Sequence, residues 1–171
     1  YRDVRDVMED PGIDAISTAT PNHWHSLITV WGCQAGKDVY VEKPMSHSPF
    51  EGQQCVAAAR KHGRIVQHGT QYRCDARLIR DMQLIREGFI GKVIHSRGVV
   101  YKNGNRHPIG HGSPGPVPDY LDWELWQGPA QDRPFLINTD REKPGLFVHY
   151  DWHWFWEYGN GEIGNQGVHE M

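Results

Sequence analysis

The first part of the chain alternates between apolar runs and amphipathic stretches, which predicts parallel βαβ units. Three runs rich in β-forming residues predict buried strands at residues 13–20, 38–41 and 64–69. Two segments with apolar positions at helical spacing lie between them, at residues 23–35 and 48–62, and a glycine follows each helix where a C-cap belongs. Because short links join all five segments, we expect a parallel sheet covered by helices.

The pattern changes after about residue 70, where we place a domain change. Residues 75–87 form an amphipathic pattern that predicts a helix, and residues 91–102 predict a long strand with partial alternation. Residues 103–118 are rich in Gly and Pro and favour neither element, and a loop of that length is usually functional or flexible. A glycine-rich turn near the end of the chain then leads into a further predicted helix.

Composition narrows the class of protein. The chain has 171 residues, with 38% hydrophobic and 23% charged residues, which is typical of a globular protein. A net charge of −3 without a basic run argues against a nucleic-acid or anionic-membrane partner. No apolar stretch approaches the roughly 20 residues that span a bilayer. Since the chain lacks an initiator Met, we expect it to be an internal part of a longer protein.

The strongest candidate for chemistry is Glu42-Lys43-Pro44, directly after the second predicted strand. Ligands of α/β proteins bind outside the carboxyl ends of the strands, so this is a favourable place for a reactive side chain. Pro44 restricts Lys43 to extended geometry, and a lysine held there can exchange a proton with a substrate hydroxyl. The alternative is a strand that stops at a proline with both charges in solvent. These three residues alone leave both possibilities open.

Histidines are frequent, and two groups of them raise the question of a metal site. One group is His149, Asp151 and His153, and the other is His23 and His25. Zinc needs three or four converging ligands, and spacing alone does not show convergence. We expect no metal. The three cysteines are widely spaced without a CxxC motif, which argues against a disulfide framework or a cysteine-rich zinc site.

Five motifs in register carry a resemblance to a known family. In chain order they are Thr20-Pro21-Asn22-His23-Trp24-His25, Glu42-Lys43-Pro44, Gln71-Tyr72-Arg73, residues 88–93 and residues 161–169. With these motifs the chain closely resembles the Gfo/Idh/MocA oxidoreductases over nearly its whole length. The resemblance implies an α/β fold in which residues 1–70 are the C-terminal part of a Rossmann domain with a parallel sheet. Residues 71–171 would then begin an α/β domain with an open, mostly antiparallel sheet.

The resemblance also implies the ligands: NAD or NADP as cofactor and a sugar, polyol or sugar derivative as substrate. It further implies a homo-oligomer formed through the C-terminal sheet of the full-length protein. In the family, the GxGxxG phosphate loop belongs to the first strand–turn–helix and the residue that selects NAD or NADP to the second strand, and the resemblance places both before Tyr1. We therefore expect the chain on its own to bind the cofactor poorly, with no tight NAD binding by calorimetry.

Roles for single residues follow from the same resemblance. The expected catalytic residues are Lys43, His169 and Asn165. The expected cofactor-binding residues are Thr20, Pro21, Asn22, His25, Glu42, Lys43 and Gln71. The expected substrate-binding residues are Lys43, Arg73, Tyr101, Asn165 and His169. For the turn at residues 20–25 the alternative is structural, with Asn22 capping the helix and Trp24 packing.

Position 165 departs from the family pattern. Relatives commonly carry Asp four residues before the histidine, whereas this chain has Asn165. An amide orients a substrate hydroxyl but cannot share a negative charge with Lys43 and His169. His169 remains the acid–base candidate, because imidazole titrates near neutral pH.

Three functions compete at this point. The first is an NAD(P)-dependent oxidoreductase that transfers hydride between nicotinamide and a hydroxyl carbon of a sugar, polyol or sugar derivative. The second is an NAD-dependent glycosidase that oxidises its sugar transiently, and it would need the same Lys43 and His169. The third is a non-catalytic sensor of sugars or nucleotides with the same fold. The presence of both Lys43 and His169 argues against the third, because a binder needs no proton relay.

Overall fold

The first half of the protein is a three-stranded parallel sheet with helices packed against it. The computed structural model describes residues 1–99, 109–140 and 145–170. The elements of the first half are α1 (Val4–Glu9), β1 (Ala15–Thr18), α2 (Asn22–Gln34), β2 (Asp38–Val41), α3 (Pro49–His62) and β3 (Val66–His68). The strand order is β1-β2-β3, and both neighbouring pairs are parallel. The predicted βαβ alternation is confirmed.

Local sequence explains where these elements begin and end. The Ser48 side chain accepts a hydrogen bond from the backbone N–H of Glu51 and caps α3, and Gly63 ends the helix in the left-handed region at φ 61°. The central strand is buried on its helix-facing side, since Val39 is 2% exposed and Val41 is 0% exposed. A central parallel strand is covered by helices, as βαβ crossovers require.

The second half contains shorter elements around a small antiparallel sheet. After a 3-10 turn at Gln71–Cys74 they are α4 (Ala76–Arg86), β4 (Gly112–Pro114), α5 (Trp123–Gln127), β5 (Leu136–Asn138), β6 (Gly145–Leu146), a π-helix at Ile163–Gly167 and α6 (Val168–Glu170). The sheet order is β4-β5-β6 with antiparallel pairs. Within the described ranges no helix has the length and apolar character needed to cross a membrane.

Two predictions for this half are wrong. The long strand expected at residues 91–102 is absent from residues 91–99, where Ile94 is 89% exposed. A strand exists only where another segment pairs with its backbone, and no described segment pairs with this one. Conversely, β4 lies inside the stretch predicted to be loop, because β5 supplies a pairing partner about twenty residues later. Residues 103–108 of that stretch lie outside the described ranges.

An aromatic cluster joins the second half to the amino end of α2. The backbone carbonyl of Trp126 lies 3.1 Å from Nε2 of His23 and accepts a 3.0 Å hydrogen bond from the Trp24 indole. The backbone N–H of His23 donates to the carbonyl of Tyr158 at 3.3 Å. The rings of Trp126 and Tyr158 meet edge to face, with centroids 4.7 Å apart. These contacts fix the Trp-rich segments against the parallel-sheet unit.

Tyr158 makes the stability of this cluster sensitive to alkaline pH. Its side chain is 4% exposed and donates to Oε1 of Gln127 at 3.2 Å, and burial raises its pKa to about 12. Because the folded state holds this proton more tightly than the unfolded state, the stabilising contribution is complete below about pH 10. It is lost as pH rises toward about 12, with a total loss of about 3 kcal/mol.

We therefore expect Tyr158→Phe to reduce the alkaline loss of stability. Urea unfolding of wild type, Tyr158→Phe and Tyr120→Phe at about pH 9 and about pH 11 measures the difference. Tyr120 is 72% exposed and serves as the matched control. Equal alkaline losses in all three proteins would contradict the assignment to Tyr158.

Candidate active site

The carboxyl ends of β1, β2 and β3 meet at one edge of the parallel sheet. Thr18 of β1 is in register with Val41 of β2, and Val41 is in register with His68 of β3. The residues that follow β1 and β2, Thr20 and Lys43 among them, are therefore brought to the same edge as the end of β3. Ligands of open α/β sheets bind outside this edge, so the candidate residues lie at the edge where such ligands bind.

Lys43 is held by a residue from the far end of the chain. Its Nζ donates a 2.6 Å hydrogen bond to the backbone carbonyl of Asn165 and a 3.1 Å hydrogen bond to Oδ1 of the same residue. Asn165 is 9% exposed, and its Nδ2 donates to the Tyr150 hydroxyl at 3.3 Å. These contacts fix both ends of the amide. Among the described residues two acceptors engage the ammonium group, which leaves one N–H for a ligand oxygen.

Glu42 lies over the start of the segment that follows β3. Its Oε2 accepts a 3.1 Å hydrogen bond from the backbone N–H of Lys43. A Cβ at Gly69 would lie 3.0 Å from the Glu42 carboxyl group, so a larger residue there would displace that carboxyl group by a few tenths of an ångström. The carboxylate is thus fixed between the ends of β2 and β3, next to Lys43.

The turn before the π-helix packs directly on the Lys43–Pro44 segment. Nδ2 of Asn160 donates to the carbonyl of His47 at 2.9 Å, and Nδ2 of Asn22 donates to Oδ1 of Asn160 at 3.3 Å. A Cβ at Gly164 would lie 3.2 Å from Cγ of Pro44. The Lys43–Pro44 peptide bond is cis. The close packing of this turn on the Lys43–Pro44 segment therefore positions Asn165 next to Lys43.

The structural alternative for the turn after β1 is partly wrong. Pro21, not Asn22, occupies the N-cap position of α2, and no side chain caps this helix. Asn22 is the first helical residue and is 2% exposed, bonded to Asn160 as described. Trp24 packs as that alternative expected, with its ring edge against Trp31 at 6.2 Å between centroids.

His25 connects two of the strand ends. Its Nδ1 lies 2.6 Å from the carbonyl of Pro44 and its Nε2 lies 2.7 Å from the carbonyl of Thr20, and the side chain is 1% exposed. Burial lowers the pKa of His25, and the two carbonyl contacts oppose that shift. With both nitrogens occupied, His25 holds the loops after β1 and β2 together and offers no nitrogen to a ligand or metal.

His169 reaches the same region from α6. Its ring lies against Tyr72, with centroids 5.3 Å apart, and its Nδ1 is buried without a hydrogen-bond partner in the described part of the chain. The helix before it is of the π type from Ile163 to Gly167, a form that often occurs at functional sites. The structure therefore brings Lys43, Asn165 and His169 to one side of the parallel sheet.

The remaining predicted residues lie at the margin of this site. Gln71 and Arg73 are exposed on the 3-10 turn after β3. Thr20 contributes its carbonyl to His25, and its hydroxyl lies 3.1 Å from that of Thr18. Tyr101 lies outside the described residues.

Sequence reasoning did not single out His68 or Tyr150. His68 ends β3, so the rule that chemistry sits at strand ends, which pointed to Lys43, would also have pointed to His68. Tyr150 has no such signal, because its contact with Asn165 depends on tertiary packing.

Comparison with known proteins agrees with this geometry. A family model described as an oxidoreductase family with an NAD-binding Rossmann fold, GFO_IDH_MocA, matches residues 1–70. Levoglucosan dehydrogenase of Pseudarthrobacter phenanthrenivorans is 28% identical over 62% of this chain and 27% of its own length. The NAD(+)-dependent scyllo-inositol 2-dehydrogenase of Bacillus subtilis is 33% identical over 60% of this chain and 30% of its own length.

A solved structure gives the same result at the level of the fold. The myo-inositol 2-dehydrogenase of Lactobacillus plantarum superposes with a TM-score of 0.50 at 28% identity, covering 55% of this chain and 28% of that protein. The chain thus spans less than a third of the length of each of these three relatives. Residues 1–70, with Lys43 at the carboxyl edge of their parallel sheet, thus match the Gfo/Idh/MocA family of oxidoreductases.

Proposed function

We propose that this chain forms part of an NAD(P)-dependent dehydrogenase that oxidises a hydroxyl group of a sugar, polyol or sugar derivative. The observation that carries the proposal is the position of Lys43, anchored by Asn165 beside the end of a strand in an NAD-binding Rossmann segment. The named relatives that act on levoglucosan and scyllo-inositol support a polyhydroxylated substrate. We assign residues 1–70 to the cofactor domain and residues 71–171 to the beginning of the substrate domain.

The residues at the sheet edge suit a nicotinamide cofactor. Buried nitrogens without partners call for a ligand, and Nδ1 of His169 is such an atom within the described ranges. The amino end of α2 lies at the same edge of the sheet, where the helix dipole favours polar and anionic ligands. Thr20, Pro21, Asn22, Glu42 and Gln71 are the residues that would hold the cofactor. When bound, its nicotinamide supplies the hydride acceptor.

Lys43 has the position to act on the reacting hydroxyl. Asn165 engages two of its N–H groups, so the third can donate to the substrate oxygen. As the hydroxyl proton is removed, negative charge develops on that oxygen, and the nearby ammonium stabilises it. Asn165 also fixes the direction of the donor, because its side chain is itself bonded to Tyr150.

His169 is the group that accepts the proton of the substrate hydroxyl. A hydroxyl that becomes a carbonyl releases one proton along with the hydride, and a neutral imidazole near Lys43 takes it up. His25 acts indirectly, by holding the loops that carry Thr20 and Pro44. Arg73 is proposed to contact the substrate at the outer side of the site. Tyr101, which lies outside the described residues, is proposed as a substrate contact from the family resemblance alone.

The test is NAD(P)H formation by the native gene product that carries this chain, measured with a panel of cyclic polyols, anhydrosugars and aldoses. We expect cofactor reduction with at least one member of the panel. The same panel includes chromogenic glycosides, since a glycosidase would release the chromophore without net NADH. Binding of NADH with neither reaction would support a sensor and contradict the proposal.

A further inference from the structure

His68 has a buried nitrogen at the carboxyl edge of the parallel sheet, where Lys43 also lies. It is the last residue of β3, adjacent through strand pairing to Val41, which immediately precedes Glu42 and Lys43. The side chain is half-buried, and its Nε2 is fully buried without a hydrogen-bond partner among the residues that the structure describes. Proteins seldom keep a buried polar atom unpaired, because the lost hydration destabilises the fold.

The charges around His68 are those of the proposed site. Burial lowers the pKa of His68, Glu42 opposes this shift, and His25, Arg73 and His169 add to it. Residues assigned to the cofactor, the substrate and proton transfer are therefore near enough to His68 to change its pKa. A neutral imidazole nitrogen either donates or accepts one hydrogen bond, which matches a hydroxyl group, since a hydroxyl does both.

His169 provides a second unpaired nitrogen close by. Its ring packs on Tyr72, which follows β3 by only four residues, and its buried Nδ1 also has no partner in the described ranges. Packing alone does not account for two buried nitrogens without hydrogen-bond partners in one region of the described structure. A bound molecule rich in hydroxyl groups would satisfy both at once.

We propose that His68 is a ligand-binding residue, whose Nε2 forms a hydrogen bond with a hydroxyl group of the bound polyol or of the cofactor's ribose. This inference rests on the proposed function, because it places the polyol and the cofactor at this edge of the sheet. It adds a residue from β3 to the contacts expected from β1, β2 and the C-terminal helix.

Two substitutions separate hydrogen bonding from packing. His68→Phe keeps a ring of similar size without a polar atom, whereas His68→Gln keeps a donor and acceptor near the position of Nε2. We expect His68→Phe to weaken ligand binding by roughly five- to tenfold and His68→Gln to recover most of that loss. His62→Phe is the matched control, since His62 is also half-buried but lies at the end of α3.

The measurements are the Kd of NADH by fluorescence, the KM of the active polyol and the Tm of the ligand-free native protein. A weaker Kd assigns the hydroxyl to the cofactor, and a higher KM with unchanged Kd assigns it to the substrate. The Tm of ligand-free His68→Phe should equal or exceed that of wild type, because the unpaired polar atom is gone. If His68→Phe does not fold, His68→Val provides the same measurements.

Unchanged Kd and KM in a folded apolar variant would overturn the proposal, as would a lower Tm together with unchanged ligand binding. Because NADH binding is measured without turnover, failure of the proposed reaction is distinguishable from failure at His68. If the wild-type protein binds NADH but shows no turnover, the Kd of NADH alone tests the role of His68. An unchanged Kd in His68→Phe then rejects that role.

Discussion

Replacing Lys43 with Ala in the native gene product should lower kcat by roughly 10²–10⁴-fold, the range expected for loss of a general acid–base group. The Kd of NADH should change much less, because Lys43 acts on the reacting oxygen. Lys43→Met should give a similar loss, since it keeps the length of the side chain and removes only the charge and the N–H donors. Steady-state turnover and NADH fluorescence titration measure the two effects separately.

Lys61→Ala is the control for this experiment, because Lys61 is an exposed lysine on α3. It should leave both kcat and the Kd of NADH unchanged. If Lys43→Met retains wild-type turnover, the ammonium group has no role in the reaction. A loss confined to the Kd of NADH would instead assign Lys43 to cofactor binding alone.

Replacing His169 with Asn should lower kcat and remove the acid limb of the pH profile of kcat/KM. In wild type, activity should fall at low pH as the imidazole becomes protonated and can no longer accept the substrate proton. Asn keeps polarity but does not titrate in this range. His62→Asn is the control, because it removes a half-buried histidine at the end of α3 and should leave the limb in place.

Asn165→Asp provides the complementary change. A carboxylate one helical turn before His169 favours the imidazolium form, so the acid limb of the kcat/KM profile should move to higher pH. Lys43 shares the new charge, because its Nζ is 3.1 Å from Oδ1 of Asn165, and this limits the shift. If the His169→Asn protein keeps the wild-type rate and the wild-type acid limb, His169 has a structural role and takes no part in proton transfer.

The parallel half of the fold could be predicted because its signals are local. Ser48 and Gly63 mark the ends of α3 by themselves, and the observed helix begins and ends where they predict. The strands β1 to β3 are apolar runs between such helices. β2 has the predicted bounds, and the bounds of β1 and β3 differ from the predicted ones by one or two residues. Each of these elements is specified by side chains within a few positions of it.

The second half was predicted less well, because its strands depend on distant partners. The apolar alternation at residues 91–99 permits a strand, but pairing decides whether one forms. The stretch at Gly112–Pro114 has little apolar character and is nevertheless a strand, since Leu136–Asn138 pairs with it. Likewise, the contact between Lys43 and Asn165 joins residues 122 positions apart, and only the family resemblance suggested it.

The double contact between Lys43 and Asn165 has a consequence for how the site can evolve. The shorter of the two hydrogen bonds, at 2.6 Å, ends on a backbone carbonyl, which every amino acid supplies. The lysine therefore keeps its anchor whichever side chain occupies position 165, while that side chain sets the local charge. Exchange of Asn for Asp at position 165 during evolution can therefore change the pH range and the substrate preference of the enzyme without passing through an inactive protein.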